Sequence, residues 1–302
     1  MRLRQRRHRV HAWGRRLGAA CLVAAAAAPN AQAALDLGAL WNFSDPALSE
    51  QRFREALKTA QGDDVLVLQT QIARSHGLRK DFEQARAVLK AAEPGLAQAG
   101  GEAQVRWWLE WGRSWASATH TAAQQTPEAV QQARQAWERA LALARQHRLD
   151  GLAVDAIHMF AFIDTAPADQ LRWGEQALAV VLASQQPAAQ RWEASVRNNI
   201  GYALFQMDRH AEALAQFEQA LTLRERGSNA GATHVARWMV ARQLRLLNRL
   251  PEALALQQRL AREAAQPDPY VFDELALLHR ALGQAAEAAA AEQAAQQARA
   301  KP

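Results

Sequence analysis

A fixed spacing restricts this chain more than any other feature. Small residues recur twelve positions apart inside apolar, helix-length stretches: Gly201 and Ala213, Ala73 and Ala85, Ala241 and Ala253, Ala276 and Ala288. A short break lies between the members of each pair, at Met207-Asp208-Arg209-His210, Arg79-Lys80-Asp81-Phe82, Asn248-Arg249-Leu250-Pro251 and Gly283. Small residues let two helix backbones approach where they cross, and the spacing places them on facing sides of a helical hairpin. One such hairpin cannot bury its apolar faces alone, so the copies must stack on each other. No alternation of strand type runs through the chain.

The stretch from Arg191 to Arg224 carries the pattern in fullest form. Ile200, Gly201 and Leu204 share one helical face, and Ala213, Phe217 and Ala220 share another. These residues resemble a tetratricopeptide repeat, with Leu204 where the family usually has Tyr. The resemblance implies an all-α fold, a right-handed superhelical α-solenoid of helix pairs. We expect it to occupy residues 34–302, with a half repeat over 46–60 and about six helix pairs over 64–300. Ser44-Asp45-Pro46 supplies a helix start for the half repeat, within which Phe53 and Ala56 reproduce the end of a second repeat helix.

Two copies depart from the spacing. Trp111-Gly112 and Trp115 match a first helix and Ala133, Trp137 and Ala140 a second, but Gly112 and Ala133 are 21 residues apart. The extra residues, around Thr119 to Pro127, are polar and read as an exposed loop. In the copy from about Leu152 to Leu182, Ile157-His158 occupies the close-packing position, where His158 is large and reads either as a buried histidine or as a sign that this copy packs loosely. Trp107, Trp111 and Trp115 form one helical stripe, which is core if covered and an interface if exposed. The last helix is mostly Ala, Gln and Glu, as suits the end of a stack.

The first 33 residues have the composition of a targeting segment. Seven arginines and no acid precede an apolar run from Leu17 to Ala28, too short for a bilayer span, which ends at the small-x-small pattern Ala31-Gln32-Ala33. A cleavable signal peptide over 1–33 and a periplasmic or secreted location are therefore expected. This segment holds seven of the 36 basic residues and none of the 30 acidic ones, so the remainder carries 29 against 30, a net charge of −1. The basic character thus belongs to the leader and gives no argument for nucleic-acid binding. Cys21, the single cysteine, also lies there, so the rest of the chain forms no disulfide. The expected mature chain has no integral membrane span.

No phosphate loop, dinucleotide fingerprint or nucleophile elbow occurs, and none of the seven histidines beyond residue 33 lies within five positions of another. We therefore expect no cofactor, no metal and no enzyme activity. In tetratricopeptide stacks the first helix of each pair lines a concave groove. Carried onto this chain, that geometry turns inward Arg74; Arg106 and Arg113; Asp155, Met159 and Phe162; Asn198, Tyr202 and Phe205; Trp238, Arg242 and Arg245; and Tyr270, Asp273 and Arg280. The expected partner-binding residues are Asn198, Tyr202, Phe205, Trp238, Arg242 and Arg245. Asn198 would bond to the backbone of a peptide or protein partner, the aromatics would hold an apolar side chain, and the two arginines would receive a carboxylate. The expected function is an exported scaffold that binds a segment of another envelope protein. The alternatives are a structural or oligomeric subunit of an envelope complex, joined through its outer face or Trp stripe, and an enzyme whose site is assembled from distant residues. The oligomeric state is not readable from these residues.

Overall fold

The computed structural model describes residues 35–300. The expected leader, its cleavage site and Cys21 lie outside the described residues. Every regular element among those described is helical. A short α1 (Leu37–Leu40) precedes α2 (Pro46–Leu57), α3 (Asp63–Leu78), α4 (Phe82–Ala92), α5 (Gly101–Arg113), α6 (Pro127–Gln146) and α7 (Asp150–Phe160). These are followed by α8 (Pro167–Ala183), a four-residue α9 (Pro187–Gln190), α10 (Glu193–Gln206), α11 (His210–Glu225), α12 (Ala230–Leu246), α13 (Leu250–Glu263), α14 (Pro269–Ala281) and α15 (Ala285–Ala300). The helices pack in sequential pairs, α3 with α4, α5 with α6, α7 with α8, α10 with α11, α12 with α13 and α14 with α15, while α2 packs on α3. This is the α-solenoid architecture expected from the spacing.

Local chemistry sets the helix starts. Side chains of Asp45, Asp81, Thr126, Asn229 and Asp268 each accept a hydrogen bond from a free amide of the first turn of α2, α4, α6, α12 and α14. Five of the stops share one form. At Lys80, Arg148, Asp208, Asn248 and Gly283 the backbone is left-handed, with φ of 66°, 54°, 55°, 58° and 75°. The next residue's amide then reaches back to a carbonyl five positions earlier: Asp81 to His76, Leu149 to Ala144, Arg209 to Leu204, Arg249 to Leu244 and Gln284 to His279. This is the Schellman arrangement, which reverses the chain within three residues.

The crossings explain the small residues. A Cβ added to Gly201 would lie 2.8 Å from the ring of Phe217, so the ring occupies the space that a side chain would need. Gly112 stands in the same relation to Trp137, whose indole would be 2.2 Å from an added Cβ. The irregular second copy therefore keeps the regular crossing although its helices are joined by a longer segment. Ala73, Ala85, Ala213, Ala241, Ala253, Ala276 and Ala288 are all buried.

Two local expectations are corrected, and the open reading of the Trp stripe is decided. The segment between α5 and α6 is exposed at Thr121–Gln124, where it makes one 3-10 turn, but its first part packs on the preceding repeat. There His120 stacks on Phe82 at 3.5 Å, Thr119 donates to the carbonyl of Gly77, and Arg86 donates to the carbonyl of Ser114 while lying over Trp115. His158 does not occupy a close-packing position. Its ring is only partly buried, and it sits between Phe162, Trp192 and Asn199. The Trp stripe is covered rather than exposed: Trp107 is buried and donates to the carbonyl of Leu89, Trp111 stacks on Trp107, and Trp115 meets Trp111 edge-on under Arg86.

Candidate functional site

The first helices of the pairs, α3, α5, α7, α10, α12 and α14, present a strip of side chains with three regions. At the α3–α5–α7 end lies an ion network. Glu110 is buried and receives Arg74 from α3 at 3.2 Å and Arg113 from its own helix. Arg113 also reaches Asp155 on α7 and points its Nε at the sulfur of Met159. Burial opposes the charge on Arg113, but Asp155 and Glu110 outweigh it and hold the guanidinium ionised beyond the ordinary arginine range. Burial would likewise raise Asp155, but Arg113 and Arg74 outweigh it and hold the carboxyl below its usual range.

The far end repeats the device. Glu274 of α14 is buried and accepts from Arg245 of α12 at 2.6 and 3.2 Å, with Arg242 at 3.8 Å. Arg242 lies over the rings of Phe205, at 4.2 Å, and Trp238, at 5.4 Å. Trp238 in turn donates to the carbonyl of Tyr270 and meets its ring edge-on. Phe205, Trp238, Arg242 and Arg245 are therefore one packed cluster. Glu274 supplies within the chain the carboxylate that Arg245 was expected to take from a partner, whereas Arg242 stands 3.8 Å from it and its Nε has no hydrogen-bond partner among the described residues. Asp273 and Arg280 pair with Arg299 and Glu292 of the last helix, and Arg106 pairs with Glu102 on its own helix.

Between these ends the strip is uncharged. A cavity of about 240 Å³ lies between α7, α8 and α10, lined by His158, Ala161, Phe162, Gln170, Trp173, Gly174, Ala177, Val196, Asn198, Asn199 and Tyr202. No Asp, Glu, Lys or Arg is among them. Burial pushes His158 below the ordinary histidine value; Asp155 pulls it up, while Arg113 and Arg74 push it further down. Asn199 contacts His158 Nδ1 at 3.4 Å, whereas the side-chain amide of Asn198 has no hydrogen-bond partner among the described residues. Tyr202 is 44% exposed. On the other side of His158 and Phe162 is a second cavity of about 250 Å³, which holds Arg74, Glu110, Arg113 and Asp155.

The structure thus separates the six expected residues. Asn198 and Tyr202 belong to the neutral cavity, and Phe205, Trp238, Arg242 and Arg245 to the closed cluster beside it. Reasoning from the sequence missed Trp173, Gln170 and Gly174, which come from a second helix, and the two buried acids. A signal for the acids was present: Glu110 and Glu274 each stand two residues before the small crossing residue, Gly112 and Ala276.

The family described as Tetratricopeptide repeat matches residues 194–231, which span α10, α11 and the turn before α12. No curated protein matches the chain by sequence. Among solved structures, the apo form of RapI is similar over 84% of this chain and 80% of its own, with 13% identity and a TM-score of 0.54. NprR in complex with its cognate peptide NprX is similar over 88% and 76%, with 12% identity and a TM-score of 0.49. BtubC from P. vanneervenii is similar over 88% and 92%, with 13% identity and a TM-score of 0.40. At 13% identity the likeness to RapI is one of fold. With a matching repeat in its regular copy and helix pairs of the same kind on both sides, the chain is a tetratricopeptide-type α-solenoid.

Proposed function

We propose that the chain is an exported, non-enzymatic scaffold that holds a segment of another envelope protein along its first-helix strip. The observation that carries this reading is the neutral, recessed middle of the strip. Asn198 offers an unpaired amide there, and Tyr202 stands exposed between two ends at which Arg113 and Arg245 are already bound to acids of the chain. An asparagine amide donates and accepts at once, which suits the N–H and C=O of an extended peptide. Export rests on the arginine front, short apolar run and Ala31-Gln32-Ala33 of the sequence. The reading as a subunit joined through its Trp stripe loses its support, because that stripe is covered. No described helix is long and apolar enough to cross a membrane.

Peptides selected from a displayed random library on the purified protein test the binding. Asn198→Ala and Tyr202→Ala should weaken the selected peptides by about 1–3 kcal/mol each in titration calorimetry, with unchanged melting curves. Selected peptides that bind both variants like wild type would place the site elsewhere. Intact-mass analysis of the exported protein tests the leader: a mature N-terminus at Ala34 is expected, and retention of Met1 would overturn it.

A further inference from the structure

We infer that the cavity between α7, α8 and α10 is an anchor site for one uncharged aromatic side chain, Phe or Trp, of the bound polypeptide. This deepens the groove reading above and rests on it. Three observations favour this occupant. The lining carries no carboxylate, ammonium or guanidinium, although ionised clusters stand on both sides of it along the strip. A charged guest would leave water without a counter-ion, while a neutral one loses nothing there. The volume, about 240 Å³, exceeds that of a cavity that takes benzene, about 150 Å³, and so admits a full aromatic side chain. The walls are rings, Phe162, Trp173, Tyr202 and His158, which meet a guest ring edge-on or offset.

The room exists because the positions between those rings are small. Ala161 and Ala177 line the cavity with single methyl groups, while the space beside Gly174 is taken by Ile200 packing against it. The free amide of Asn198 in the lining points to a polypeptide carrier, since it can pair with the backbone of the residue whose side chain enters. The neighbouring cavity beyond His158 and Phe162 differs in kind. Its arginines and acids neutralise each other, so it asks for no charged partner.

The test uses capped pentapeptides with Phe, Trp, Leu, Asp or Lys at the centre of a glycine frame, titrated into the full chain and followed by the side-chain amide resonance of Asn198 and the methyl resonances of Val196. Phe and Trp peptides should shift both, at least about tenfold more tightly than Asp or Lys peptides, and more tightly than Leu. Ala161→Leu fills the cavity from the end of α7 and should abolish the difference; Ala161→Val, a milder filling, should reduce it. Both variants are checked for an unchanged melting temperature. Equal shifts by all five peptides, insensitive to Ala161→Leu, would overturn the aromatic anchor and leave the groove reading standing. No shift by any peptide at millimolar concentration would overturn both. Binding of N-acetyltryptophanamide as tight as the Trp peptide would replace the polypeptide by a small aromatic molecule and overturn the carrier.

Discussion

Four residues with side chains hold the left-handed backbone that glycine supplies at the fifth equivalent turn. A β-carbon is disfavoured there and glycine is not, so Lys80, Arg148, Asp208 and Asn248 each store a small strain. Lys80→Gly and Asn248→Gly should therefore raise stability by about 0.5–1 kcal/mol each, and Gly283→Ala should lower it by a similar amount, in urea unfolding. His158 and His120 make a second residue-scale prediction. Burial holds both below the ordinary histidine value; beside His158 stand Asp155, which opposes this, and Arg113 and Arg74, which add to it, while Arg86 adds to it at His120. The unfolded chain then binds protons that the folded chain refuses, so stability is full above the ordinary value and is lost as pH falls below about 6.5. The carboxyl of Asp155, held low, titrates well below that window. Melting temperatures at about pH 7.5 and about pH 5.5 should differ, and His158→Gln should shrink the difference.

Two helix pairs, α5–α6 and α10–α11, are built around a plug and a gap. Phe217 fills against Gly201 and Trp137 against Gly112, so Gly201→Ala and Gly112→Ala should each cost about 1–3 kcal/mol through overpacking. An unchanged midpoint in either would refute its crossing. The α12–α13 pair is different, because Gln257 stands where Phe217 stands, four residues after the small residue of the second helix. It is wholly buried and its amide finds no protein partner. A buried polar group without a bond costs about 1–3 kcal/mol, so Gln257→Leu should stabilise the protein by about 1 kcal/mol in the same assay. The crossings were legible in the sequence because a crossing is written by residues on two adjacent helices at a constant offset. Gly112 was legible even across its longer connection, since Trp137 keeps its place four residues after Ala133. The contacts of the strip were not. Arg245 meets Glu274 and Asn199 meets His158 across different pairs, at separations of 29 and 41 residues. Nothing periodic ties such partners together, so Arg245, read as open to a ligand, is already engaged.

At the scale of the whole array, each pair touches mainly its neighbours, and stability is a sum of pair and interface contributions. Ion pairs join the successive first helices: Arg74 and Arg113 link α3, α5 and α7, and Arg245 links α12 to α14. Arg245→Ala would leave the buried Glu274 with Arg242 alone, 3.8 Å away and not hydrogen-bonded to it, and should cost about 3 kcal/mol. In hydrogen exchange the loss should appear as faster opening of α14 and α15, with α5 and α6 unchanged; uniform acceleration along the chain would argue against a modular array. The all-α solenoid and its pairing were readable because nearest-neighbour architecture repeats its own signature, whereas the cavity between α7, α8 and α10 arises from one irregular copy. The other irregular copy has the longer segment joining α5 and α6, with 21 residues between Gly112 and Ala133 instead of 12; it leaves the contact of Gly112 with Trp137 intact and is exposed at Thr121–Gln124. The molecule thus carries a natural splice port: a fluorescent domain inserted after Ala123 would open only the single 3-10 turn there, leave α5 and α6 in place, and report from inside a cell where the protein resides.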